Sequence, residues 1–172
     1  AADDADDLRQ LRHFAVLDRA VERLATNLAG TGAMVLATAD HGFCNTQPET
    51  RLNVEDYPDI VACLNIPLCG EPRVPYAYVK PTQAKRFEEL MGEHLGHCCT
   101  LMTREQALDE EWYGAGQPHP EWANRVGDYI MLMHDGWILA HRILGEGPLN
   151  LVGFHGGPSE TEMHVPLVQI AT

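Results

Sequence analysis

The stretch from Leu8 to Asp40 limits what this chain can become more than any other. Apolar residues at Leu8, Leu11, Phe14, Leu17, Val21, Leu24 and Leu28 recur at steps of three and four, which draws one face along a helix. Arg9, Arg12, Asp18, Arg19, Glu22 and Arg23 fall largely elsewhere, and Gly30 supplies the usual residue after a helix end. "AMVLAT" follows at once, a short apolar run of the kind buried on both faces of an α/β sheet. Helix, strand and then the polar tip "ADHG" is the α/β rhythm, with functional residues gathered where the strand runs out. The helix must pack on something, and Asp40 and His41 sit where chemistry is expected.

The same rhythm continues downstream. "VEDYPDIVACLN" reads as a short helix interrupted or begun near Pro58, and "RVPYAYVK" alternates like a strand. Pro75 puts that strand at a sheet edge or makes it start late. "PTQAKRFEELMGEHLG" is helical, with Pro81 in the first turn and Gly96 at the end. "CCTLMT" is another strand, and Thr103 with Gln106 forms a capping-box pattern for a following helix. "DYIMLMHDGWILAH" reads as two strands around an Asp135-Gly136 turn, and the chain closes through a glycine-rich loop and a short helical turn into the strand "VPLVQI". No internal repeat is visible.

A length of 172 residues suits one domain, 1–172, and the 45% apolar and 22% charged composition is that of a globular protein. No apolar run approaches the roughly 18 residues needed to cross a bilayer. Twelve Lys and Arg against 25 Asp and Glu give a net charge of −13, which disfavours a nucleic-acid polymer or an anionic membrane as partner. An anionic substrate would need local positive charge, which a bound divalent cation can supply. Cys44, Cys63, Cys69, Cys98 and Cys99 form no CxxC pair, and their odd number does not suit a disulfide framework. They read as reduced thiols of a cytoplasmic protein.

Asp40 and His41 are common zinc-ligand types, and Gly42 allows close backbone approach beside them; the same dipeptide also fits a plain turn. His155, flanked by Gly153, Gly156 and Gly157, is poor core filler and is either a ligand or a surface turn residue. "HLGHCC" offers His94, His97, Cys98 and Cys99, but adjacent cysteines opening a strand point to opposite faces, so a helix end with buried thiols is the better account. Ser159, the single serine, lacks the G-x-S-x-G setting of a serine hydrolase. Cys44 lies near His41, yet a packed thiol explains it more simply than a Cys-His pair. Neither GxxxxGK[ST] nor GxGxxG occurs. Arg73 and Arg125 are candidate phosphate contacts, set against the commoner role of surface salt-bridge partner.

"VLATADHG" resembles the second metal-ligand segment of the alkaline phosphatase superfamily. "GEPR", "TREQAL", "RVGDYI" and "GFHGGPSETEMHVPLV" follow in the order and spacing of its type I phosphodiesterase / nucleotide pyrophosphatase branch, from about Leu8 onward. Metal-dependent phosphoglycerate mutases carry a similar Asp-His-Gly, usually followed by Asn; Phe43 here favours the phosphodiesterase branch. The resemblance implies two divalent metal ions, usually zinc, with Asp40 and His41 on one and His155 on the other. It also implies a covalent Thr or Ser intermediate on a phosphate-ester or nucleotide substrate. That nucleophile, the first metal-binding Asp and an Asp-x-x-x-His-type segment belong upstream of the helix at Leu8, so the chain reads as the C-terminal half of a phosphodiesterase domain.

The expected fold is therefore α/β, part of an alkaline-phosphatase-like three-layer sandwich with a largely parallel central sheet. Ala33 to Thr38 and Val165 to Ile170 would be parallel buried strands, with a small antiparallel portion from Arg73 to Lys80 and Asp128 to His141. Three ligands shared between two zinc sites cannot complete even one four-coordinate site, so weak or absent metal binding and no hydrolysis are expected of this chain by itself. Self-association through an exposed sheet edge is expected of such a half sheet. The alternatives are a non-catalytic remnant that serves as an interaction domain, or a metal-dependent phosphomutase-like enzyme.

Overall fold

The computed structural model describes residues 3–142, 145 and 151–172. They form two compact units, Ala1–Asp40 with Val165–Thr172, and His41–His164. Among the described residues no helix is long and apolar enough to cross a membrane.

The larger unit is organised by "YIMLM". This run is strand β7 (Tyr129–Met133), and every one of its residues is buried because the sheet is covered on both faces. Tyr129, Met131 and Met133 join the main core beneath helix α3 (Ala84–Leu95), while Ile130 and Leu132 point the other way into a second cluster with Met102, Ala107 and Val126. The sheet has the order β4 (Cys69–Glu71), β5 (Val74–Ala77), β7, β6 (Cys99–Thr103), and all its pairings are antiparallel. Pro75 sits in a strand with neighbours on both sides, and the β5–β7 ladder begins after it, at Tyr76, where a donating amide is again present.

Helix α3 forms as its apolar spacing requires, burying Phe87, Leu90, Met91 and Leu95 on one face. A tight turn at Pro81–Gln83 leads into it, and α2 (Pro58–Cys63) adds Ile60 and Cys63 to the same core. Each fully buried side chain of this size contributes about 1.5–3 kcal/mol of apolar transfer. Helix α4 (Arg104–Asp109) begins with the expected capping box: Gln106 N donates to Thr103 Oγ1 at 3.1 Å and Thr103 N to Gln106 Oε1 at 2.8 Å.

"DYIMLMHDGWILAH" does not form a hairpin. The chain turns at Asp135 and Gly136, but β8 (Ile138–Ala140) leaves β7 and pairs in parallel with β3 (Arg51–Asn53), Arg51 opposite Ile138. A two-residue ladder joins β2 (Cys44–Asn45) to β9 (Gly153–Phe154), antiparallel, with Cys44 opposite Phe154.

In the smaller unit, helix α1 (Asp3–Asn27) is followed by β1 (Met34–Thr38), which pairs with β10 (Leu167–Ala171). This pairing is antiparallel, Met34 opposite Ala171 and Thr38 opposite Leu167, which overturns the expectation of two parallel strands. Nor are the strands buried: Leu36 is 61% and Leu167 72% exposed. An apolar run marks a strand that could be covered, and here no described element covers it. The α/β class stands, with β3–β8 as the parallel pair and the remaining described ladders antiparallel.

Candidate functional site

The β2–β9 ladder is short, but it fixes what stands beside it. With Cys44 opposite Phe154, the residues entering β2 and those leaving β9 share one end of the ladder. The His41 and His155 rings stack there, centroids 3.8 Å apart and planes 14° from parallel. Phe43 stands edge-on to both, at 5.1 Å from His41 and 5.7 Å from His155. Aromatic pairs of this kind are worth about 0.5–1.5 kcal/mol beyond burial. Two of the three candidate ligands, remote in sequence, thus meet. Asp40 is exposed and closes the smaller unit, whereas His41 opens the larger.

His41 Nδ1 lies 2.8 Å from the Gly42 carbonyl oxygen. A carbonyl only accepts, so Nδ1 is the donor in this contact. Backbone anchoring of one imidazole nitrogen is how a metal-binding histidine is commonly oriented.

The two glycine motifs are held by a buried ion pair. Gly42 N donates to the Glu162 carbonyl at 2.8 Å, and a Cβ on Gly42 would lie 1.9 Å from the Thr161 carbonyl oxygen, so only glycine fits. Gly157 N donates to Glu162 Oε1 at 2.9 Å, and a Cβ there would press on the Glu162 carboxylate and the Arg73 guanidinium. Glu162, 2% exposed and borne on the single-turn helix α5 (Glu160–Met163), thereby grips the "DHG" loop by its main chain and the "HGG" loop by its side chain.

Arg73 completes the mount. Its Nη2 donates to Glu162 Oε2 at 2.7 Å and its Nε to Oε1 at 3.0 Å, while Nη1 donates to the His134 and Trp137 carbonyls at 2.6 and 2.7 Å. Burial works against the charged form of Glu162, but hydrogen bonds from Arg73, Ser159 and Gly157 outweigh it and hold the carboxyl below its ordinary range. Arg73 is likewise desolvated and still raised above its usual value by Glu162. Arg73 is therefore neither a phosphate contact nor a surface residue; it is fully buried and its donors are engaged. Arg125 is exposed.

Sequence reading missed this pair. The available signal was Ser159-x-x-Glu162, which has the form of a capping box, yet Ser159 makes no side-chain cap. Its hydroxyl instead donates to Glu162 Oε2, which turns away to meet Arg73.

The other candidates take the simpler roles. Cys44 is buried, and its sulfur accepts from Gly136 N at 3.1 Å. Cys98 and Cys99 are buried just past the end of α3, and desolvation pushes the Cys99 thiol up to about 12. His97 lies edge-on to Trp137, 5.2 Å away.

The donors fit a zinc-type ion in kind, since an imidazole with an anchored Nδ1 is a standard ligand. They fall short in number. Among the described residues no group of three or more His, Cys, Asp or Glu is arranged to hold a metal ion.

The model of the type I phosphodiesterase / nucleotide pyrophosphatase family matches residues 7–158. The chain belongs to this family. No curated protein matches it significantly. Among solved structures, murine ectonucleotide pyrophosphatase / phosphodiesterase 5 is similar at a TM-score of 0.66 and 18% identity, over 89% of this chain and 39% of that one. The human counterpart gives 0.66 and 18% identity, over 89% of this chain and 38% of its own. An inactive form of the murine protein in complex with AMP gives 0.55 and 19%, over 79% and 33%. At such identities the likeness shows the fold, an alkaline-phosphatase-like α/β architecture of which this chain spans about two fifths.

Proposed function

We propose that this chain is the metal-ligand-bearing C-terminal portion of a metal-dependent phosphodiesterase or nucleotide pyrophosphatase. Asp40 and His41 would bind one divalent ion and His155 a second, zinc in both cases. The observation that carries this reading is the stacking of His41 on His155, with Nδ1 of His41 anchored to the Gly42 carbonyl. Family membership supports the same assignment, because both histidines lie within the matched residues.

When bound, the ions would polarise the phosphoryl group and stabilise the leaving oxygen. This chain's own residues hold two imidazoles together through Gly42, Gly157 and the Arg73–Glu162 pair. A Thr or Ser nucleophile would come from residues outside the chain, and a nucleotide or other phosphate ester would be the substrate of the assembled site. The AMP complex of the murine relative supports a nucleotide. The free thiols support a reducing, cytoplasmic setting.

The test is hydrolysis of bis-p-nitrophenyl phosphate by the purified 172-residue chain with and without zinc. No zinc-dependent turnover is expected; rapid turnover would show that the chain holds a whole site. A second reading, an interaction domain, is favoured by one observation. Leu11, Phe14 and Leu17 on α1 are 64%, 66% and 61% exposed, a face suited to self-association or to a partner chain.

A further inference from the structure

The sheet face opposite α3 holds a cavity of about 210 Å³ that the metal reading does not use. Ile130 and Leu132 floor it, and Tyr76, Trp112 and Tyr113 wall it. Gly156 and Gly157, the two residues after His155, also line it, with Met163.

The aromatic walls are held in place. Tyr113 Oη donates to Tyr76 Oη at 3.1 Å, its ring stands edge-on to Trp122 at 5.6 Å, and Trp112 Nε1 donates to Glu110 Oε2 at 2.9 Å. Tyr113 and Trp112 nonetheless remain 48% and 43% exposed. Large rings fixed in position yet left open to solvent at the mouth of an apolar cavity are what a flat ligand needs.

The volume lies below the roughly 300–1,000 Å³ of pockets that enclose a drug-sized molecule, so it suits one ring system. Because Tyr113 gives its proton to Tyr76, the pair ends on the Tyr76 O–H, a donor. Burial first, and the Tyr76 hydroxyl second, raise Tyr113 above the usual phenol range, so it keeps that proton at neutral pH.

We propose that this cavity binds a single aromatic ring bearing a hydrogen-bond acceptor, with the ring between Tyr76, Trp112 and Tyr113 and the acceptor on the Tyr76 hydroxyl. The inference stands on the cavity and needs no metal. A bound ring would lie against the loop that carries His155.

The probe is p-nitrobenzyl alcohol, titrated without metal into the full chain and followed by amide and indole NMR shifts, with cyclohexylmethanol as the non-aromatic control. Saturable shifts are expected at Gly156, Gly157 and the Trp112 indole. Met163→Trp, at a 64% exposed position on the rim, fills the space and weakens binding by at least about ten-fold. Tyr76→Phe removes the donor and weakens it by about two- to ten-fold. Shifts elsewhere in the spectrum that match wild type show that each variant is folded. Absence of saturation at these three groups, undiminished binding to the filled variant, or equal binding of cyclohexylmethanol would overturn the proposal. None of these results bears on zinc, so the two readings fail separately.

Discussion

Helices α1 and α3 share one design and meet different fates. Each carries apolar residues at steps of three and four, yet α3 leaves Phe87, Leu90, Met91 and Leu95 between 0% and 2% exposed. On α1, Leu8, Leu11, Phe14 and Leu17 are between 56% and 66% exposed. The difference lies in what surrounds them. The larger unit has several strands and helices to bury against one another and even covers a charged pair, whereas the described residues of the smaller unit hold only α1 and one two-stranded ladder. Amphipathic spacing states a demand for a partner, and only the rest of the fold can meet it.

The sharpest way to break this contrast is to unpair the charge that the larger unit buries. Arg73→Met leaves Glu162 without its cation and is expected to cost about 3–5 kcal/mol in urea unfolding. Because the folded Glu162 carboxyl is depressed, its stabilisation is present above the unfolded carboxyl value of about 4.3 and is lost as pH falls through the lower folded value. Glu162→Gln should therefore be less stable than wild type at pH 7 and should show a flatter loss of stability between neutral and acidic pH. Equal slopes would mean that the pair carries no pH-linked stability.

Next come two phenylalanines that look alike in sequence. Phe87→Ala, in α3, is expected to cost about 3–5 kcal/mol by opening a cavity in the main core. Phe14→Ala, in α1, should stay within about 0.5 kcal/mol in the monomeric chain. Comparable losses would contradict the exposed α1 face. The smallest effect is chemical rather than energetic. Cys69 is exposed, whereas Cys63, Cys98 and Cys99 are buried with thiols raised first by desolvation. Iodoacetamide at pH 7.5 should thus modify Cys69 well before these three, as mass spectrometry of the labelled peptides would show.

Local signals were the legible ones. Thr103 and Gln106 announced the start of α4, Pro81 the approach to α3, and the glycines around His41 and His155 two loops that prove to meet. Pairings between remote segments were not legible. The Asp135-Gly136 turn suggested a hairpin because turn chemistry is local, while the parallel match of β8 with β3 depends on residues far along the chain. "AMVLAT" and "VPLVQI" showed apolarity but not direction, so their antiparallel pairing was not foreseen. Arg73 and Glu162 lie 89 residues apart, and no periodicity links a lone cation to a lone acid at that distance.

The central claim is that His41 and His155 form one metal-binding corner, and imidazole NMR during a zinc titration of the full chain tests it most directly. The account predicts weak binding in which the ring signals of these two histidines move ahead of the remaining histidines, and a His41 signal already displaced in zinc-free His155→Ala because the stack is lost. It would be contradicted if the other histidines shifted at zinc concentrations that left both rings unmoved, or if the His41 signal were the same in the variant.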